Sequence, residues 1–201
     1  MSELVESVVK TIKEFERLPG IGKKTAERIV YHLLKIPNEK VFLLSDSIRF
    51  MKENVRYCSR CFNLAENELC DICRDVQRNQ DVLCVVEQPR DLIALEKTGQ
   101  YHGIYHVLLG RVSPLDGVGP EQLTIEELIR RIKMENIKEV IMATNPTVEG
   151  DGTVLAISNR LKGIHVRISR LARGVTTGSL LEYANNEMLV DAILERQFLN
   201  D

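Results

Sequence analysis

No stretch of this 201-residue chain approaches the apolar length that crosses a bilayer, and 28% of its residues are charged, so it reads as a protein without a membrane span. No apolar signal-peptide pattern opens the sequence, which makes the expected compartment the cytoplasm, where disulfides are rare. A dominant charge is missing as well: 27 Lys and Arg face 29 Asp and Glu, a formal −2. That balance excludes little until the chain is divided. Residues 1–53 carry ten bases and eight acids, residues 54–79 four of each, and residues 80–201 thirteen bases and seventeen acids. A basic front and an acidic back suggest separate surfaces for separate partners.

Cysteine is scarce, and four of the five fall in one run, Cys58-x2-Cys61-x8-Cys70-x2-Cys73. Two CxxC pairs let each pair reach one tetrahedral ion from a tight turn, which is how structural zinc sites are built. Four thiolates leave no open position, so the expected role is structural, not catalytic. Disulfides or free buried thiols are the competing readings, and the reducing compartment disfavours the first. Cys84, in the apolar run Val82–Val86, reads as a core residue.

Ahead of the cysteines the pattern is helical. Residues 3–16 place Leu4, Val5, Val8, Val9 and Ile12 on one face. Leu18-Pro19-Gly20-Ile21-Gly22 breaks that helix, a second carries Ala26, Ile29, Val30, Leu33 and Leu34, and a third is expected from about Asn38 to Asn54. Gly20 and Gly22 allow close backbone approach, and the N–H groups opening the next helix form an anion site suited to phosphate. Lys23, Lys24 and Arg28 lie on the exposed side of that helix. Arg17 to Lys40 holds six bases and two acids. This is a helix-hairpin-helix pattern, which grips DNA backbone without reading bases. A nucleotide P-loop is excluded because the GxxxxGK[ST] spacing is not met and no strand precedes it. Helix packing in an oligomer contact is the alternative.

Beyond the cysteines, strands and helices alternate. Strands are expected at 82–86, 103–109, 139–143 and 165–168, with helices at 89–98, 123–134 and 152–161, which argues a parallel sheet covered on both faces. Ligands of such sheets meet the carboxyl ends of the strands. Glu87 directly follows the first strand, Asp91 lies one turn into the first helix, and Glu149-Gly150-Asp151 is expected in the loop after the third strand. Converging carboxylates there could hold magnesium; solvated loop acids, or helix-start acids suited to the dipole, are the equal alternative. His102 and His106 are read as non-ligands. A terminal helix is expected from about Asn186, with Leu189, Ile193 and Leu194 apolar; this stripe and that of Leu4, Val5, Val8 and Val9 on the first helix are the expected oligomer contacts. The expected organisation is thus multidomain: a helix-hairpin-helix at 1–53, a four-cysteine zinc finger at 54–76, an α/β domain at 77–170 and a C-terminal segment at 171–201.

Taken in order, Leu18-Pro19-Gly20-Ile21-Gly22, the four cysteines, Val85-Val86-Glu87, Ala143-Thr144-Asn145-Pro146-Thr147-Val148-Glu149-Gly150 and Arg170-Leu171-Ala172-Arg173-Gly174 resemble the bacterial RecR family of recombination mediators along the whole chain. The resemblance implies a Toprim α/β domain and a ring-shaped oligomer, usually a tetramer, that encircles or clamps single-stranded, double-stranded or gapped DNA. It also implies partnership with RecO and RecF in loading the RecA recombinase, nucleoid association, and no enzymatic activity. By position, Lys24 and Arg28 match the family's DNA-contacting residues, while Lys23 stands where many members have proline. Glu87, Glu149 and Asp151 match the Toprim acids, which the family is thought to use for partner contact. The chief rival is a magnesium-dependent Toprim nuclease, primase or topoisomerase. The last would need a nucleophilic tyrosine, and Tyr101, Tyr105 and Tyr183 sit in no recognisable context. A zinc-dependent transcription factor fits worse, since no helix pairs with the basic patch in a groove-reading arrangement.

Overall fold

The computed structural model describes residues 5–175 and 178–194. It divides into two compact units, residues 1–55 and 56–201, so the cysteine run belongs to the larger unit.

The smaller unit is three helices, α1 (Glu6–Glu16), α2 (Lys23–Leu33) and α3 (Asn38–Asn54). Of the expected start of α1, residues 3 and 4 lie outside the described residues. Ile12, Ala26 and Val30 are buried between α1 and α2, with Val8, Phe15 and Ile21 packed around them. Ile21 therefore plugs the hairpin, as its place between two glycines implies. The turn closes by hydrogen bonds from Leu18 N to Phe15 O and from Ile21 N to Leu18 O, both 3.1 Å. Gly20 supplies the left-handed φ of +79° that this turn needs.

The expectation of an open apolar stripe on the first helix changes here. Val8 turns inward onto the hairpin core, so α1 offers less apolar surface than its sequence suggests; Val5 remains exposed. The open apolar surface lies on α3, none of whose residues is buried and on which Phe42, Leu43, Ile48 and Phe50 are all more than half exposed.

The larger unit opens with a short antiparallel pair, β1 (Arg56–Tyr57) and β2 (Leu64–Ala65), and a one-turn helix α4 (Asp71–Arg74), which frame the cysteines. A parallel sheet follows from β3 (Asn79–Val86), β4 (Gly103–Val107), β5 (Glu139–Met142) and β6 (Arg167–Arg170), in the order β4-β3-β5-β6. Helices α5 (Pro89–Glu96), α6 (Ile125–Glu135) and α7 (Val148–Leu161) are the crossovers, and α8 (Asn186–Leu194) comes last. Because side chains alternate along a strand, β3 sends Leu83 and Val85 to one face and Cys84 and Val86 to the other. The first face is packed with residues of α6 and α7, including Leu128, Ile132, Ile157 and Leu161. The second is covered by Leu92 of α5 and by Phe62 and Ile72 of the cysteine loop. Both faces are covered, as a parallel sheet requires, but the metal loop takes a share that a helix would otherwise fill. Cys84 is a core residue, 2% exposed, and burial pushes its thiol up to about 12.

Several element boundaries differ from expectation: β3 begins three residues early, at Asn79, and β4 ends two residues early, at Val107. β6 begins two residues late, at Arg167, which pairs with Glu139 after Gly163 has turned the chain at φ +83°. α7 begins at Val148, not Gly152: the Thr147 hydroxyl caps it by accepting from Gly150 N at 3.1 Å. Glu149 and Asp151 therefore stand in a helix's first turn, where the dipole favours acids, and not in a loop. Among the described residues no helix is long and apolar enough to cross a membrane.

Candidate metal centre and nucleic-acid interface

Cys58, Cys61, Cys70 and Cys73 converge, their sulfurs all within 4.8 Å of one another, and all four are buried. Each CxxC folds as a tight knuckle. In the first, Phe62 N donates to Cys58 O at 3.0 Å and Cys58 N to Asn63 O at 2.7 Å; in the second, Arg74 N donates to Cys70 O at 3.1 Å. Cys61 and Cys70 sulfurs lie 3.5 Å apart, close to the edge of about 3.8 Å of a tetrahedron with arms of about 2.3 Å. Hydrogen bonds from Cys61 and Cys73 pull the Cys70 thiol down. Four soft sulfurs with no disulfide among them fit zinc, in a closed structural site. Neither expected non-ligand joins them. His106 is fully buried, with Nε2 at 3.0 Å from both Thr124 O and Thr124 Oγ1, and burial followed by the Arg131 charge lowers its pKa to about 3.

At the hairpin, Gly22 is the N-cap of α2 and carries no side chain to satisfy the helix's opening N–H groups. The space where a Cβ would stand at Gly20 and Gly22 is open. Lys23, Lys24 and Arg28 are exposed, and among the described residues none of the three forms an ion pair. Open backbone donors beside uncompensated cations suit a phosphate chain.

The acids at the carboxyl edge of the sheet follow another logic. Glu87 is 3% exposed, and its two oxygens accept from Asn145 N and Asn145 Nδ2, each at 2.8 Å. Asp91 accepts from Gln88 N at 2.9 Å, which closes a capping box on α5. Asp151 is paired with Arg173, whose Nη1 lies 3.0 Å from Oδ2, and that hydrogen bond holds its pKa below the usual carboxylate range. Glu149 is half-buried; its own backbone N–H and the Thr147 hydroxyl lower its pKa. Glu149 and Asp151 also line a cleft of about 810 Å³ with Thr147, Arg173, Met188 and Asp191. Sequence reasoning missed Asn145 and Arg173 as the partners of these acids, although both lie in the segments that carry the family resemblance.

Comparison with known proteins resolves the family. Three family models match in tandem: the RecR helix-hairpin-helix at residues 9–51, the RecR four-cysteine zinc finger domain at 55–75, and the Toprim domain at 81–172. The recombination protein RecR of Rhodopirellula baltica is 53% identical over 199 residues, 99% of this chain and 100% of that protein. The chain belongs to the RecR family. RecR proteins of Rubrobacter xylanophilus (45% over 199 residues, 99% of this chain and 100% of that protein) and Herpetosiphon aurantiacus (45% over 192 residues, 96% and 94%) are similar along their length. The four-cysteine site is thus the RecR zinc centre, and the sheet with its acidic edge is the Toprim domain.

Proposed function

We propose that this RecR-family chain is a DNA-binding recombination mediator of the cytoplasm, nucleoid-associated, that works as a homo-oligomeric clamp. With RecO and RecF it helps load RecA on single-stranded or gapped DNA. The observation that carries DNA binding is the hairpin, where Gly20, Gly22, Lys23, Lys24 and Arg28 set open N–H groups beside exposed cations. Contacts of this kind read charge and spacing along the backbone, not base identity. Lys24→Glu with Arg28→Glu should weaken binding to any DNA sequence and reduce the slope of log K against log salt by about two, one per lost contact. Unchanged affinity at the same salt would make the hairpin an oligomer contact instead.

The scaffold reading, against a magnesium-dependent Toprim enzyme, is supported by where the acids are engaged. Glu87, Asp91 and Asp151 already accept from Asn145, from an α5 amide and from Arg173. Metal-assisted phosphoryl transfer needs carboxylate oxygens open to the ion. In this reading Glu87 and Asp91 shape the edge, and Glu149 and Asp151 meet a basic partner such as RecO. Purified protein with magnesium should neither cut, join nor relax DNA. Metal-dependent turnover abolished by Glu87→Gln would overturn the scaffold.

Self-association, with a tetramer expected, is supported by α3, on which Phe42, Leu43, Ile48 and Phe50 all stand exposed and no residue is buried. A second surface at the C-terminal helix, with exposed Val190, Ile193 and Leu194, supplies what ring closure requires. Removing residues 186–201 should lower the oligomer to a dimer or monomer in analytical ultracentrifugation, and a truncated, folded protein that keeps the parent's oligomeric state would overturn this.

A further inference from the structure

Three consecutive residues of the first zinc knuckle reach three different parts of the Toprim fold. Arg60 sends its guanidinium to the last residue of α6, with Nε 2.9 Å from Glu135 Oε1 and Nη2 3.0 Å from Glu135 Oε2, and the same Nη2 donates to Gln80 Oε1 of β3 at 2.9 Å. Cys61 accepts, through its carbonyl, the Val107 N–H at the end of the edge strand β4, at 2.8 Å. Phe62, in the left-handed region at φ +62°, sets its ring edge-on to His106 of β4, with centroids 5.3 Å apart. The loop that packs Phe62 and Ile72 under one face of the sheet thus wraps the β4 edge and grips a helix on the other face.

The grip is strong on physical grounds. Glu135 sits in the last turn of α6, at the negative end of its dipole, where a carboxylate is unfavourable. Two guanidinium groups offset this: Arg60 in a bidentate fork, and Arg131, whose Nε lies 3.0 Å from Glu135 Oε2. Arg131 is only 7% exposed and donates through Nη1 to Tyr105 O at 2.6 Å, so a buried cation depends on the same carboxylate. Burial works against ionised Glu135, yet the hydrogen bond from Arg60 and the charge of Arg131 outweigh it and lower its pKa.

We propose that Arg60 is a positioning residue that couples the zinc centre to helix α6 and strand β4 through Glu135. Zinc fixes the Cys58–Cys61 knuckle, the knuckle delivers Arg60, and Arg60 completes the charge balance of Glu135 and Arg131. Coupling of this kind is reciprocal, so a change on α6, far from the cysteines in sequence, must loosen the metal.

The test follows zinc leaving the intact, metal-loaded chain, read by the absorbance of a chromogenic chelator. Glu135→Gln keeps size and fold but weakens the charge-assisted fork. It should speed zinc release about ten-fold, within the range typical of coupled sites. Arg60→Ala should act in the same direction, and Arg60→Ala with Glu135→Gln should have less than the product of the two effects, because both remove the Arg60–Glu135 fork. Lys133→Ala, an exposed change on the same helix, should leave the rate unchanged. Release from Glu135→Gln at the parent rate, or fully multiplicative effects in the double variant, would overturn the proposal.

Discussion

The basic hairpin and the acidic sheet edge carry opposite charges and are built on opposite plans. Lys23, Lys24 and Arg28 stand on a helix whose packing uses other residues, Ala26 and Val30, so the charges can face outward without supporting anything. At the sheet edge the carboxylates are structural parts. Glu87 ties the end of β3 to the segment after β5, Asp91 closes the cap of α5, and Asp151 fixes Arg173 of the chain leaving β6. A surface made to hold a long, uniform anion can keep its charges apart from its fold. At the acidic edge Glu87, Asp91 and Asp151 are engaged internally, so shape and charge there are held by the same residues.

Substitutions can sharpen or break that contrast. The largest effect is expected at Gly150, where a Cβ would stand 2.0 Å from the Asn145 carbonyl oxygen and 3.3 Å from Glu87 Oε1. Gly150→Ala should lower unfolding free energy in denaturant by about 3 kcal/mol, since backbone must shift and the Glu87 clamp goes with it. Glu87→Gln comes next. One of its two acceptors becomes a donor facing a donor, at a cost of about 1–3 kcal/mol, with DNA affinity unchanged. If Glu87→Gln left the midpoint of melting unmoved, the acidic edge would not be built into the fold.

Asp151→Asn should cost less, about 0.2–1 kcal/mol, because the Asp151 side chain is half exposed and solvent screens its pair with Arg173. Its signature is in the pH dependence. The Asp151 pKa is lowered in the folded state, so its contribution is present above the unfolded carboxylate range near about 3.9 and fades as pH falls through the folded value. Parent and variant should therefore differ at pH 7 and converge toward pH 3. The smallest effect belongs to the hairpin: Lys24→Ala with Arg28→Ala should leave stability within about 0.5 kcal/mol while DNA affinity drops. A large loss of stability there would mean that the cations hold the fold after all.

Which features are legible in the sequence follows from how local their causes are. The cysteine spacing, the glycine hairpin and the strand–helix alternation each express a constraint acting within a few residues, and all reappear in the structure. α7 begins four residues before the expected Gly152 because the Thr147 cap and the first-turn acids outweigh the low helix propensity of Gly150 and Gly152. Asn145 as the clamp on Glu87, Arg173 on Asp151 and Glu135 under Arg60 cannot be read, since 58, 22 and 75 residues separate the partners and no local period links them. The α1 stripe misleads for a related reason: periodicity marks an apolar face without saying whether another helix covers it.

The two faces of the sheet also differ in when they can close. Much of the face formed by Cys84, Val86, Tyr105 and Val107 is covered by Phe62, Ile72 and Leu92, all of which precede Val107 in the chain. The opposite face, with Leu83, Val85 and Ile104, waits for α6 and for α7, which ends at Leu161. A ribosome adding about 5–20 residues per second releases the metal knuckle and its half of the sheet several seconds before the other half is complete. During that interval the nascent chain has one side largely covered and one apolar side bare. Zinc capture thus belongs to the first stage of synthesis, and a chain made in zinc-poor medium should be the one that chaperones hold longest.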